Sequence, residues 1–162
     1  MSILLRAVGG AMLLGGAIFA SRAYGRYAER RLEELEGFTA LLSRVRERIS
    51  VYLTPQSELL ADFECPPLEA CGFMSIYRES GSLLEAFRGA KVSIVPDAAR
   101  VLSSFFESFG RGYKSEELAR VDSAAQECTR ILERERTDLP RDVRLAGVLI
   151  SSAALAVFIL II

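Results

Sequence analysis

Apolar and polar positions divide this chain into three blocks. Leu145 to Ile162 reads LAGVLISSAALAVFILII without a single charge, and Ile3 to Ala23 is a second apolar run, broken by Arg6 and carrying Arg22 near its end. At ~1.5 Å of rise per residue, helices over these runs would span ~27 and ~31 Å, close to the ~30 Å hydrocarbon core of a bilayer. The terminal run shows no polar face, which weighs against its being a buried core helix. The pattern predicts transmembrane helices at 1–23 and 145–162, flanking a polar domain over 24–144.

Between them the pattern becomes amphipathic. From Tyr27 to Leu53, Leu35, Phe38, Leu42, Val45, Ile49 and Tyr52 recur at steps of three and four, the seam of one helix with Glu and Arg on its other face. Gly37 is its weak point, at ~1 kcal/mol relative to Ala. Thr54-Pro55 ends that helix and starts another, Gln56 to Phe63, with Thr54 as N-cap. Pro66-Pro67 ends the second helix. A third follows from Leu68 to Arg78, and Gly81-Ser82 precedes a fourth from Leu83 to Arg88. Lys91 to Val95 alternates like a strand but has no partner strand, so it reads as a loop. Pro96-Asp97 opens a helix with Ala99, Val101, Leu102, Phe105, Phe106 and Phe109 on its apolar side, closed by Gly110. Ser115, with Glu116 and Glu117 at the positive end of the helix dipole, opens a long helix through Leu118, Val121, Ala125, Cys128 and Leu132. Asp138-Leu139-Pro140 breaks it before the last apolar run. The fold class expected is all-α: an antiparallel bundle of about five to six helices, the first and last of them side by side.

The N-terminal run has a competing reading. Met1 to Arg6 can serve as the positive region of a cleaved signal peptide, with Ser21-Arg22-Ala23 as a weak cleavage site. The heavier positive charge lies after the run, however, which favours a retained anchor. Arg22, Arg26, Arg30 and Arg31 follow the first run, and Arg134, Arg136, Arg141 and Arg144 precede the second. Basic residues beside membrane segments favour the cytoplasmic side, which puts the charged middle in the cytoplasm. Ala7, Ala11 and Gly15, and likewise Gly147, Ser151 and Ala154, form small-residue stripes on which helices approach closely in lipid.

Composition sharpens this partition more than it adds to it. All 21 acidic residues lie between Glu29 and Asp142, and every basic residue but Arg6 lies between Arg22 and Arg144. A net charge of −1 gives no general case for nucleic acid, whose binders need a basic excess to replace phosphate counterions. The chain has no histidine, so the commonest metal ligand and general base are missing, and Ser-His or Cys-His chemistry is excluded. Cys65, Cys71 and Cys128 match neither a disulfide set nor a zinc knuckle and read as structural thiols. Glu33 with Glu34, and Glu116 with Glu117, read as solvated helix faces rather than acid–base pairs. The Phe105, Phe106 and Phe109 cluster reads as core. No cofactor, metal, small-molecule substrate or enzymatic activity is expected. Gly110-Arg111-Gly112-Tyr113-Lys114, a basic, aromatic-bearing loop, is the best candidate for a partner contact, through Arg111, Tyr113 and Lys114, against the plainer reading of an interhelical turn.

The succession of a short N-terminal apolar run, the Tyr27 to Arg31 basic exit, the Leu35, Leu42 and Ile49 seam, Tyr52-x-Thr54-Pro55, the Phe109-Gly110 turn, a long charged helix and a terminal apolar run resembles the stage III sporulation AB protein family of endospore-forming bacteria. Gln56 and Arg111-Gly112-Tyr113 depart from the family's pattern. The resemblance implies a helical cytoplasmic domain similar to that of the inner-membrane platform protein of type II secretion and type IV pilus systems. It also implies a place in the mother-cell membrane, within the sporulation channel complex between mother cell and forespore, in contact with that complex's secretion-type ATPase and its other membrane proteins. The function expected is therefore that of a non-enzymatic adaptor coupling the ATPase to the membrane assembly. The alternatives are a platform subunit of another secretion or pilus system, and a secreted helical protein released by signal cleavage.

Overall fold

A computed structural model describes residues 2–51 and 58–161 of the chain, with backbone alone for residues 2–11, 13, 14, 154 and 158–161. The described residues form six helices and no strand: α1 (Ser2–Val51), α2 (Pro66–Ala70), α3 (Phe73–Ser80), α4 (Leu83–Gly89), α5 (Pro96–Ser108) and α6 (Lys114–Ile161). The all-helical class and the helix count agree with the amphipathic pattern, and Lys91 to Val95 is a connector. Two compact units divide the chain, one of Arg30–Glu135 and one of Met1–Glu29 with Arg136–Ile162.

The unit of residues 30–135 holds the core. The seam of α1 buries Leu35, Phe38, Leu41, Leu42 and Val45 completely or nearly so. Phe38 meets Phe73 of α3 and Phe87 of α4 edge-on, with ring centroids 5.2 and 5.6 Å apart, and Phe106 of α5 closes the cluster against Phe73 and Phe87 at 6.2 and 5.3 Å. Offset and edge-on rings of this kind add ~0.5–1.5 kcal/mol per pair beyond their buried area. From α6, Val121, Ala124 and Cys128 enter the same core, while Leu132 joins Leu35, Val95 and Ala98 in a smaller cluster. Ala98, rather than the expected Ala99, is the alanine of α5 that turns inward. Ion pairs from α1 to α6 lie outside the apolar seam: Arg31 to Glu135 at 2.9 Å, and Arg46 to Asp122.

Four boundaries differ from expectation, each for a local reason. The Thr54-Pro55 stop and Gln56 lie outside the described residues. Residues 58–63 form turns closed by Ala61 N–H to Glu58 O and Phe63 N–H to Leu60 O, so the helix expected there is not extended through them. Pro66-Pro67 does not end a helix but opens α2, because proline lacks a donor that the first turn would leave unused anyway. The single helix expected from Leu68 to Arg78 is split by Gly72, whose φ of +86° is open to glycine at little cost. Pro140 lies inside α6 instead of breaking it. An interior proline crowds the carbonyl four residues earlier, here that of Arg136. The two compact units part at that same residue.

Gly37 has a different role from the flaw that helix propensity makes of it. A Cβ there would come within 3.0 Å of Cys65 Sγ and 3.1 Å of Leu68 Cγ, so the missing side chain is what lets α2 lie against α1. Leu68 is fully buried by this contact.

The second unit pairs the two ends of the chain. A Cβ on Gly147 would stand 3.3 Å from Ser21 Oγ, and one on Gly25 would stand 3.9 Å from Val143. Close approach therefore involves Ser21, Gly25 and Gly147, and not Gly15, which has nothing within 4 Å of its Cβ position. The side chains of Ala7, Ala11 and Ala154 lie outside the description. Large apolar side chains face outward along both arms, among them Met12, Ile18, Phe19, Leu145, Val148, Leu149, Leu155 and Val157. Among the described residues, no helix is long and apolar enough to cross a membrane, so the flanking transmembrane helices expected above are not met there. Most side chains of Ile3 to Leu14, and those of residues 154 and 158–162, fall outside that set.

Candidate functional site

The candidate loop begins where α5 ends. Phe109 leaves the helix with an extended backbone while its N–H still bonds Phe105 O, and Gly110 follows at φ +81°. The chain then turns back, and Tyr113 O accepts from Glu117 N–H in the first turn of α6. Of the three residues expected to meet a partner, Arg111 is exposed and Tyr113 is 81% exposed, the most accessible large apolar side chain described. Lys114 is turned to another use. Its Nζ donates to Ser50 O at 2.8 Å, placing a cation on the last turn of α1, where the helix dipole favours one.

The loop is held from below by a carboxylate that sequence reasoning assigned to solvent. Glu116 and Glu117 are neighbours, and ~100° of helix rotation sends only the first of them outward. Glu117 is buried. Its Oε1 accepts from Gly112 N–H at 2.9 Å and Arg120 Nη1 at 3.0 Å, and Arg120 also donates to Ser108 O at 3.3 Å. One acid and one arginine thus tie the end of α5, the loop and the start of α6 together. Glu117 Oε2 is buried without a hydrogen-bond partner among the described residues, so Oε1 alone carries the fastening. Gly112 lies close under the two acids: a Cβ would meet Glu116 Oε2 at 2.7 Å, which can swing aside, and the fastened Glu117 Oε1 at 3.1 Å. The spacing of Glu117 and Arg120, three apart on a helix, is the signal that could have exposed this pair.

Beside the loop, a groove of about 1130 Å³ runs between α5 and α6. Ser104 and Ser108 of α5 face Arg120 and Ser123 of α6 toward its loop end, while Asp97 and Arg100 face Arg130 and Arg134 toward the other. Val101, Phe105, Ala124 and Ile131 contribute its apolar lining. None of these residues drew notice in the sequence as a site, because the groove joins two helices whose polar positions each look like ordinary solvated faces.

Glu34 is the second buried carboxylate, against the expectation of a solvated pair. It is 2% exposed and accepts from Ser93 N–H at 2.6 Å, which fastens the α4–α5 connector to α1. Burial raises its pKa above the usual carboxylate range, opposed by the Ser93 hydrogen bond and the nearby Arg30 charge. All three cysteines are free and buried. Burial pushes the Cys128 thiol up to about 11, with Glu127 adding to the effect, and raises Cys65 and Cys71 in the same direction. Such thiols are weak nucleophiles. Among the described residues, no group of three or more Cys, Asp or Glu side chains is placed to hold a metal ion. Compared with protein-family models, curated proteins and solved structures, the chain matches none.

Proposed function

We propose that this chain is a non-enzymatic membrane adaptor, a platform subunit of the sporulation channel complex between mother cell and forespore, whose helical domain couples a secretion-type ATPase to the membrane assembly. The observation that carries the membrane half of this reading is the partition of the sequence. Two apolar runs flank a block holding all 21 acidic residues, and the two ends of the chain belong to one compact unit with large apolar side chains turned outward. Outward apolar side chains on a paired set of helices suit lipid and are costly in water. The transmembrane assignment of 1–23 and 145–162 and the cytoplasmic placement of the middle rest on hydropathy and on the arginines that flank both runs. The adaptor half rests on the resemblance of the quoted motifs to the stage III sporulation AB family, together with the lack of any histidine-based catalytic arrangement.

One experiment addresses placement and partnership together. With the native thiols buried, a cysteine introduced at Tyr113, the most exposed aromatic among the described residues, is the only readily labelled thiol in the folded chain. A membrane-impermeant thiol reagent is expected to label it in permeabilised but not in intact cells, with the chain retained in the membrane pellet after alkaline carbonate. Detergent-solubilised chain is then expected to co-purify with the ATPase of the sporulation channel. Labelling in intact cells overturns the cytoplasmic placement, release by carbonate overturns the anchors, and failure to associate at micromolar concentration overturns the coupling role.

A further inference from the structure

We propose that the band in which the two arms of the chain meet their flanking charges binds anionic phospholipid, with arginines on the headgroup phosphates and the neighbouring apolar side chains on the acyl chains. The inference deepens the adaptor reading by naming the lipid class, and rests on its anchored topology for the level at which headgroups lie. Ser21 faces Gly147 and Gly25 faces Val143, so α1 and α6 run antiparallel here, with residues 22–27 level with residues 141–146. Four exposed arginines share those levels: Arg22, Arg26, Arg141 and Arg144. The band rises ~7.5 Å, close to the ~5–7.5 Å that headgroups add on each side of the hydrocarbon core.

These arginines differ from those of the 30–135 unit, nine of which lie within 3.8 Å of an acid. Among the described residues, none of the four is held in an ion pair. Asp142 is the acid level with them and pairs with none of them, which leaves a local surplus of three positive charges. The whole unit of residues 1–29 and 136–162 carries six arginines against three acids, while residues 30–135 carry four more acids than bases. Attraction to an anionic surface is thus concentrated at the arms. Guanidinium groups suit phosphate because their planar donors bind its oxygens in pairs.

The side chains beside the arginines select an amphiphile. Ile18 and Phe19 of α1, and Leu145 and Val148 of α6, are exposed and lie within about a turn of Arg22 and Arg144, on the side away from the charged block. A ligand that satisfies both rows carries an anion at one end and hydrocarbon at the other. Tyr24 and Tyr27, 43% and 52% exposed, stand level with the arginines, and tyrosine collects where an apolar body and a polar tip meet headgroups. Inorganic phosphate would leave the apolar row in water, and a nucleic-acid strand needs a longer basic track than this band offers.

The test uses the full chain in a non-ionic detergent, incubated with equal amounts of phosphatidylglycerol and phosphatidylcholine of the same acyl chains. The chain is repurified and its bound lipid measured by mass spectrometry. Phosphatidylglycerol is expected to be enriched roughly fivefold, with the preference shrinking as salt is added. Arg22→Gln with Arg26→Gln, and separately Arg141→Gln with Arg144→Gln, should each cut the enrichment by about half, and all four together should abolish it. Lysine at the same four positions should keep most of it, since the charge remains. Arg78→Gln with Arg100→Gln, exposed arginines of the 30–135 unit, should leave it unchanged. Circular dichroism melts check that each variant keeps its helices. The proposal is overturned if the two lipids bind equally, if the fourfold glutamine variant keeps the enrichment, or if the control pair reduces it as much. Displacement of the lipid by inorganic phosphate or by a single-stranded oligonucleotide at equal charge overturns it too. Carbonate extraction keeps the two readings apart: a chain retained in the membrane without a lipid preference refutes the band alone, and a released chain that still enriches phosphatidylglycerol refutes only the anchors.

Discussion

The two stretches of α6 follow opposite rules. Over residues 114–135 the apolar positions Val121, Cys128 and Leu132 are buried and, Glu117 apart, the charges face out or lie at the edge of the core. Over residues 145–157 the apolar positions Leu145, Val148, Leu149, Leu155 and Val157 are the exposed ones. α1 shows the same reversal, with Met12, Ile18 and Phe19 exposed and Leu35, Phe38 and Leu42 buried. The lesson is that one helix can carry two patterns of exposure. Periodicity identifies the half that buries an apolar seam, and the absence of charge identifies the half whose large apolar side chains face outward.

The sharpest break of that comparison is a core truncation. Phe38→Ala removes the ring that Phe73 and Phe87 pack against and should destabilise the 30–135 unit by about 3–5 kcal/mol, while Phe19→Ala, at a 69% exposed site, should change it by less than about 0.5 kcal/mol. Thermal melts followed by circular dichroism decide it, and equal losses at both sites would end the distinction. A paired glycine test is next in size. Gly37→Val drives side-chain atoms into Cys65 and Leu68 and should cost about 2–3 kcal/mol, whereas Gly15→Val meets open space and should leave the melt nearly unmoved.

A smaller effect separates the buried carboxylate from its exposed neighbours. Because the Glu34 pKa is raised in the folded chain, the folded state holds its proton to higher pH than the unfolded one. Stability should therefore fall as pH rises from the ordinary glutamate value, 4.5, through the raised one. Glu34→Gln keeps an acceptor for Ser93 N–H and should flatten that slope, giving a variant at pH 7 at least as stable as the parent. Urea titrations across pH 4–8 would show it, and an unchanged slope would count against a buried ionisable Glu34. The smallest effect belongs to the loop: Arg111→Ala and Tyr113→Ala should move the urea midpoint negligibly, since both side chains are exposed, whereas Gly112→Ala should lower it slightly by crowding the buried Glu117 Oε1 that the loop is fastened to.

Much of this was legible from pattern alone. Leu35, Phe38, Leu42 and Val45 of the α1 seam, Leu102, Phe105 and Phe106 of α5, and Val121, Cys128 and Leu132 of α6 followed from steps of three and four, whereas Ala99 did not and Tyr52 lies outside the described residues. What stayed hidden depended on neighbours distant in sequence. Gly37 looks like a flaw until Leu68 is placed against it. Glu34 looks solvated until Ser93, 59 positions on, donates to it. Pro66-Pro67 and Pro140 carry the same residue in different places: the first pair opens a helix, where no donor is needed, and the other lies within one that continues through it. The groove was illegible for a related reason: its two walls are separate helices whose polar faces are each unremarkable, and only their juxtaposition concentrates arginine.

The contacts that close the 30–135 unit join its two ends, with Arg31 against Glu135 across 104 positions and Leu35 clustered with Leu132. This has a bearing on synthesis. The inner helices can pair locally as they leave the ribosome, but the seam of α1 waits, uncovered along one side, until α6 has been made. High contact order at the ends of a small domain slows its final step and lengthens the time that Phe38 and its neighbours are accessible to chaperones or to other nascent chains. The chain is thus most vulnerable to aggregation before its last helix is complete, and a truncation anywhere short of Leu132 should yield an insoluble product rather than a smaller folded one.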